Sequence, residues 1–553
     1  MFKKLLRNHS RGQAIILVAL AFVGVIAMVG LAMDGGVLLI NYATLKRSVD
    51  AASVAAAQQF RKGYNPDDMT NAVVEFLQLN KTQLNQSDIT NIITETCATA
   101  LTPGDPALCT DPPRKLVRVT ATQHVTFGFL RVIGIDATDL TASSVAEAAS
   151  IDMMLVIDTS ISMAAATDYN NNGGSCPAEG NPPTVDPNCQ NDVNANDDPS
   201  VCNTNGTHGS LTCEPMKDVL TEAQQFADLL FYPYDRVGVV ALTDQVPGDT
   251  TTAGRNPKVV WDLQSSYVAG GDITAAGVTD QGNVDNAIAG DGVGGTNGLL
   301  GLKVFQPTTC EYNADNATFA PVGTDPGDNA PGPCLNYPPS APNDGAFAGQ
   351  ECPAYRLSNP SDPTTCNNTN GGGGLEAAGA EFTNSPTVAV RKDSLWIVVA
   401  LLTGAPNSSW PLSWDSTNKP NGYCPSSFWG GQPLCIQPSM QVSLTDPLRV
   451  AQSDPTASNY TSLDYALDMA DWVAGPASGN GQNASIFGIC LGHRCENSSG
   501  ADPDLPEQFL EYAAEIAGGP TANHGSYYYS AGVGNLQNIF QDIYNSITTR
   551  IAQ

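Results

Sequence analysis

Basic side chains are scarce in this chain. Its 553 residues hold 25 Lys and Arg against 55 Asp and Glu, a formal net charge of −30. Nucleic acid, which needs basic patches, is therefore excluded as a partner. Histidine is scarcer still. His9, His124, His208, His493 and His524 lie far apart, and no spacing makes a metal pair or a triad. None of the 14 cysteines forms a Cys-x-x-Cys pair, which removes zinc-ribbon and thioredoxin-like readings. No Gly-Lys-Ser/Thr follows a glycine run, so a phosphate loop is excluded too. No catalytic constellation emerges, and the chain is not expected to be an enzyme.

Other residues are plentiful. There are 52 glycines and 38 prolines, which predicts long loops. The cysteines fall as sequence neighbours: Cys97/Cys109, Cys176/Cys189, Cys202/Cys213, Cys310/Cys334, Cys352/Cys366, Cys424/Cys435 and Cys490/Cys495. Most sit in Gly/Pro/Asn-rich loops, so local disulfides in an oxidising compartment are expected, with nearest-neighbour pairing the simplest choice.

Lys3, Lys4, Arg7 and Arg11 precede Gln13–Met33, 21 residues without a charge. About 20 such residues span a bilayer as a helix. The basic bias places residues 1–12 in the cytoplasm and everything after residue 33 outside, as a single-pass membrane protein. A cleaved signal peptide is the alternative, with Gly30-Leu-Ala32 as its cleavage site, but the apolar core is longer than signal peptides use. The span continues into an alanine-rich amphipathic helix through Ala57. A further helix is expected at Asp67–Asn80 and a strand at Val117–Thr122, in a small α+β domain over residues 34–150. Arg11-Gly-Gln-Ala14, the span, Asp34-Gly-Gly36 and Asp50-Ala-Ala-Ser-Val-Ala-Ala-Ala57 resemble the N-terminus of TadE/TadG-like proteins. That resemblance implies a role with Tad (Flp) pilus assembly. Pilin-like members carry Glu five residues after a processing glycine; here that residue is Leu17, which argues against a filament subunit.

The most informative stretch is Ile151–Met163. An apolar run ending in Asp158 reads as a strand buried on both faces. Asp158, Ser160 and Ser162 then offer a carboxylate and two hydroxyls at alternate positions of a loop. Hard oxygen donors with little charge suit Mg²⁺ or Mn²⁺; a polar turn is the plain alternative. The stretch resembles the first strand and metal-ion-dependent adhesion site of von Willebrand factor A (VWA) domains. Asp235–Leu242, with Asp-Arg-Val-Gly, is similar to the second strand of that family. The resemblance implies a Rossmann-like α/β domain over residues 151–553, a mostly parallel sheet flanked by helices, with disulfide-tied insertions at about 165–213, 244–366 and 404–460. It also implies that Thr369, in Thr369-Asn370 before four glycines, joins the metal site; Thr296-Asn297 is the rival. The family's Thr-Asp-Gly after the central strand Ser394–Thr403 reads Thr403-Gly404-Ala405 here, so the expected carboxylate is absent; Asn407 and Asp415 are substitutes in principle. The implied function is binding or adhesion to a protein ligand, or to pilus or cell-envelope components, whose acidic residue completes the metal shell. A structural component with a vestigial site is the alternative.

Asp168, Asn170, Asn172 and Glu179 stand at positions 1, 3, 5 and 12 of a calcium-loop pattern with Gly173 at position 6. An Asn/Gly-rich turn fits the same residues. Helices are expected at Glu214–Leu230, Leu375–Phe382, Leu463–Val473, Leu505–Ala517 and Leu536–Arg550. Strands are expected at Val259–Leu263, Ala484–Leu491 and Ser526–Ser530.

Overall fold

The computed structural model describes residues 10–61, 63–79, 89–160, 163, 213–242, 257–290, 301–304, 310–313, 318–321, 369–383, 390–406, 408–409, 435–436, 462–479, 481–492, 495 and 505–551. The chain divides into two compact units. One is Met1–Ala148 with Tyr267–Ile273; the other is Ala149–Ser266 with Thr274–Gln553.

The first unit begins with α1 (Ser10–Gln58), a single uninterrupted helix that is long and apolar enough to cross a membrane. Residues 15–29 are exposed throughout. From Gly30 the helix acquires a buried stripe through Asp34, Leu45, Val49, Ala52 and Ala56, the helical spacing of a one-sided core contact. It packs with α2 (Pro66–Leu79) against an antiparallel sheet ordered β1-β2-β3. These strands are β1 (Ile89–Glu95), β2 (Lys115–Thr126) and β3 (Ala137–Ala148). Along β2 the side chains alternate, with Val117, Val119, Ala121 and Val125 inward. β1 was not expected from sequence. A bulge between Thr90 and Ile93, with Asn91 at φ 51°, breaks the alternation that would have announced it. The Cys97–Cys109 disulfide closes the following loop.

The second unit starts at β4 (Ile151–Ile157), α3 (Met216–Ala227), β5 (Arg236–Ala241), β6 (Lys258–Trp261) and α4 (Ile273–Ala289). Two short strands, β7 (Cys310–Asn313) and β8 (Thr318–Pro321), pair with each other. Then come α5 (Gly371–Thr383) and β9 (Leu395–Leu402), followed by the two-residue strands β10 (Ser408–Ser409) and β11 (Cys435–Ile436). The chain ends with α6 (Ser462–Ala474), β12 (Ser485–Leu491), α7 (Leu505–Glu515), β13 (Tyr527–Ser530) and α8 (Leu536–Ile551). Six strands form one mixed sheet in the order β13-β12-β9-β4-β5-β6; all neighbours are parallel except the antiparallel edge strand β6. The Cys490–Cys495 disulfide sits at the end of β12.

The sheet is covered on both faces, which is why its central strands read as unbroken apolar runs. Met153, Leu155 and Ile157 of β4 join Val219, Phe226 and Ala223 of α3 and Ile539, Phe540 and Ile543 of α8. Met154 and Val156 point the other way, to Leu375 and Phe382 of α5, Ala466 and Met469 of α6, and Phe509 of α7. The structure adds α4, for which the sequence led us to expect only loop around an edge strand. Its Thr, Gly, Asp and Asn are weak helix formers, and burial of Val284, Ala287 and Ile288 in the first core face holds it. Helix α5 likewise begins four residues earlier than expected. Its Gly371–Gly374 run lies in the helix, and the close approach of the helix to its neighbours leaves no room there for a side chain. A Cβ on Gly372 would be 2.9 Å from the Ala466 Cα, and one on Gly374 would run into Leu242 and Val156.

At the N-terminal ends of the strands lies a buried ion cluster. Asp152 accepts from Arg236 Nε at 2.9 Å and Nη2 at 2.8 Å, from Arg391 Nη2, and from Ser394 Oγ at 2.7 Å. Arg391 also donates to the Tyr234 carbonyl at 2.6 Å. Burial alone pushes the Asp152 carboxyl up; the two guanidiniums outweigh it and hold the group below the usual carboxylate range.

Candidate metal and ligand site

The opposite ends of the same strands carry the site. β4 passes its last apolar residue, Ile157, and delivers Asp158. The Asp158 N–H donates to the Leu401 carbonyl at 2.9 Å, so pairing with β9 continues one residue past the strand. β9 ends in turn at Leu402 and delivers Thr403. The Asp158 carboxylate joins the two: Oδ2 accepts from the Thr403 N–H at 3.0 Å and its Oγ1 at 2.8 Å, and Oδ1 accepts from the Ser160 N–H at 2.9 Å. Asp158 and Thr403 are fully buried, and Ser160 nearly so.

A third element enters from α5. Asn370 caps that helix, its side-chain oxygen accepting from the Gly373 N–H at 2.9 Å, the usual N-cap bond. The cap fixes Thr369 immediately before the helix. An ideal Cβ on Gly404 would lie 3.4 Å from the Thr369 Oγ1, so the threonine hydroxyl faces position 404 directly. The buried Asn370 Nδ2 has no acceptor among the described residues.

This meeting point has a topological cause. From β4 the chain moves to β5 on one side; from β9 it moves to β12 on the other. The crevice between the C-terminal ends of β4 and β9 is therefore the switch point of the sheet, where open α/β sheets bind ligands. The helix dipole of α5 adds positive partial charge at its N-terminal end.

Of the residues singled out from sequence, Asp158, Ser160 and Thr369 lie in or beside this crevice. Ser162, the rival Thr296, the substitutes Asn407 and Asp415, and the calcium-loop residues Asp168, Asn170, Asn172 and Glu179 lie outside the described residues. Sequence reasoning did not assign Thr403 a role. Its signal was its place, one residue past a buried strand beside β4. Among the described residues no group of three or more His, Cys, Asp or Glu is placed to hold a metal ion. The described donors are one carboxylate and neighbouring hydroxyls, all hard oxygen. They match Mg²⁺ or Mn²⁺ in kind and fall short in charge.

No protein-family model matches the chain, and no curated protein matches it. Several solved structures are similar. The pilus adhesin SpaC from Lactobacillus rhamnosus GG aligns at 11% identity and a TM-score of 0.32, over 84% of this chain and 35% of the adhesin. The PilB minor pilin from Streptococcus sanguinis, as a point mutant, aligns at 12% identity and a TM-score of 0.30, over 84% of this chain and 79% of the pilin. Proximal thread matrix protein 1 from the mussel byssus aligns at 8% identity and a TM-score of 0.27, over 73% of this chain and 50% of that protein. Likeness at these scores carries no argument about function, and the reading below rests on the site.

Proposed function

We propose that residues 149–553 form a VWA-type binding domain, held at the outer face of a membrane by α1, that captures a protein ligand through a divalent cation. The observation that carries this reading is the convergence of Asp158, Thr403 and Thr369, from three separate elements, on the switch point of a mostly parallel sheet. Asp158, Thr369 and Ser160, with Ser162 from the same loop, would hold Mg²⁺ or Mn²⁺. When bound, the ion supplies a positive centre that an acidic side chain of the partner completes. Asn370 Nδ2, which has no acceptor among the described residues, would be free to donate to the partner's carboxylate. Thr403 keeps the Asp158 carboxylate in place through both of its donors. The TadE/TadG-like segment supports a setting at a Tad (Flp) pilus or the cell envelope.

Titration calorimetry of the purified protein with MgCl₂ and MnCl₂ tests this directly. Saturable binding in the parent and none in Asp158→Ala is expected. Equal heats in the two proteins would sink the metal-site reading.

Gly404 favours a second reading, a structural pilus or envelope component whose site no longer takes an ion. Here the parent itself binds neither cation, the protein copurifies with filaments, and Asp158→Ala leaves surface adhesion unchanged.

A further inference from the structure

The turn between β2 and β3 is apolar where a solvent-facing turn would be polar. Its sequence is Phe127-Gly-Phe-Leu-Arg-Val-Ile-Gly-Ile135. Val132 and Ile133 are 86% and 71% exposed, and Phe129 and Ile135 nearly half exposed. A short 3₁₀ turn, Leu130–Ile133, holds them outward.

Two contacts fix where this tip sits along α1. A Cβ on Gly30 would be 2.8 Å from the Phe129 Cβ, so Phe129 lies directly on the helix at Gly30. The Asp34 carboxylate, one turn further on, accepts from the N–H groups of Gly128 at 3.0 Å, Phe129 at 2.9 Å and Leu130 at 2.7 Å. At 1.5 Å per residue, Gly30 lies about 6 Å before Asp34 along the helix. It falls inside the uncharged Gln13–Met33 span, so Phe129 is level with the span's last turn.

Most backbone donors of the tip are satisfied internally. Besides the three N–H groups that Asp34 takes, Phe127 donates to the Asp136 carbonyl at 2.9 Å and Val132 to Phe129 at 3.0 Å. Gly134 donates to Arg131 and Ile135 to Leu130, both at 3.1 Å. Lipid offers no water to backbone donors, so a segment entering it must satisfy them internally. Arg131, exposed beside Asp136 at 3.5 Å, has the reach to place its charge among headgroups.

We infer that the β2–β3 tip is a second membrane contact. Phe129, Val132, Ile133 and Ile135 insert into the leaflet on the side of the folded domain, against the end of the span. Asp34 acts as the clasp that sets their depth. This rests on the reading of Gln13–Met33 as a membrane anchor.

The full chain is reconstituted in phosphatidylethanolamine–phosphatidylglycerol vesicles with a diazirine side chain at Val132. Separate preparations carry the probe at Ile133, at Leu20 in the span, or at Val145, an exposed residue of β3. Illumination followed by mass spectrometry reads the adducts. Lipid adducts at Leu20, Val132 and Ile133 and none at Val145 are expected. Adducts at Leu20 with none at Val132 and Ile133 overturn the tip insertion and leave the anchor standing. Protein adducts at Val132 in place of lipid overturn it in favour of a docking chain. Absence of lipid at Leu20 overturns the anchor and this proposal together.

Discussion

Asp152 and Asp158 stand at the two ends of β4 and are equally buried, at 1% and 0% exposure. Their partners differ in kind. Asp152 meets two guanidiniums and a hydroxyl. Asp158 meets two backbone N–H groups and the Thr403 hydroxyl, and no ion pair among the described residues. Dipoles orient a carboxylate and stabilise its charge in part; they do not neutralise it. One end of the strand is therefore electrostatically closed and belongs to stability. The other presents a buried carboxylate held only by dipoles at the sheet's switch point, the kind of group a cation would complete.

The largest expected effect breaks the closed end. Asp152→Asn leaves Arg236 and Arg391 buried without their anion, which costs about 3–5 kcal/mol; urea titration should show the midpoint fall sharply. A midpoint near the parent's would show that the cluster contributes little. The same carboxylate predicts a pH dependence. Its folded-state pKa is depressed, so its contribution is complete above the ordinary aspartate value of about 3.9 and is lost as pH falls below it. The parent should lose stability on acidification through that window, and Asp152→Asn should lose less.

Asp158→Asn comes next. It should cost the fold less, about 1–3 kcal/mol from weakened hydrogen bonds, and should abolish any rise in melting temperature caused by MgCl₂. If Asp158→Asn destabilises as much as Asp152→Asn, the contrast between the two ends fails. Gly404→Asp sharpens the contrast from the other direction. Among the described residues only the Thr369 hydroxyl lies within 4 Å of the new Cβ, so the carboxylate fits beside it. One added charge should tighten Mg²⁺ binding about tenfold, read by calorimetry; unchanged or weaker affinity would place the cation elsewhere. Thr369→Val keeps the volume and removes one neutral donor. It should weaken Mg²⁺ by less than Asp158→Asn does and leave the urea midpoint within about 1 kcal/mol of the parent.

The open end of β4 was far more legible in sequence than the closed one. Asp158 and Ser160 follow an apolar run at alternate positions, and a doubly covered strand announces itself as such a run. The closed end depends on Arg391, 239 residues from Asp152. No local pattern marks an arginine whose partner comes from across the sheet, and Val-Ala-Val-Arg-Lys reads as an ordinary surface approach to a strand. Helices with a clear apolar face, α3 and α8, were visible for the same reason as β4. Helix α4 and the first turn of α5 were not, because their glycines and polar residues disfavour helix in isolation. Close packing decides there, and it exists only once the fold does. The site's third member, Thr369, could be named only by resemblance; its approach to position 404 is set by the Asn370 cap and the glycines behind it.

One consequence of α1 concerns force. The helix runs 49 residues without a break from its exposed apolar half into the core of the first unit, a length of about 74 Å. No turn or flexible joint separates the two halves. A pull on the folded part is therefore carried along the helix axis by the stripe from Gly30 to Ala56, where many side chains share the load in shear. A strand peeled from an edge would give way one contact at a time. Under the binding role proposed above, that is the direction in which grip lasts longest.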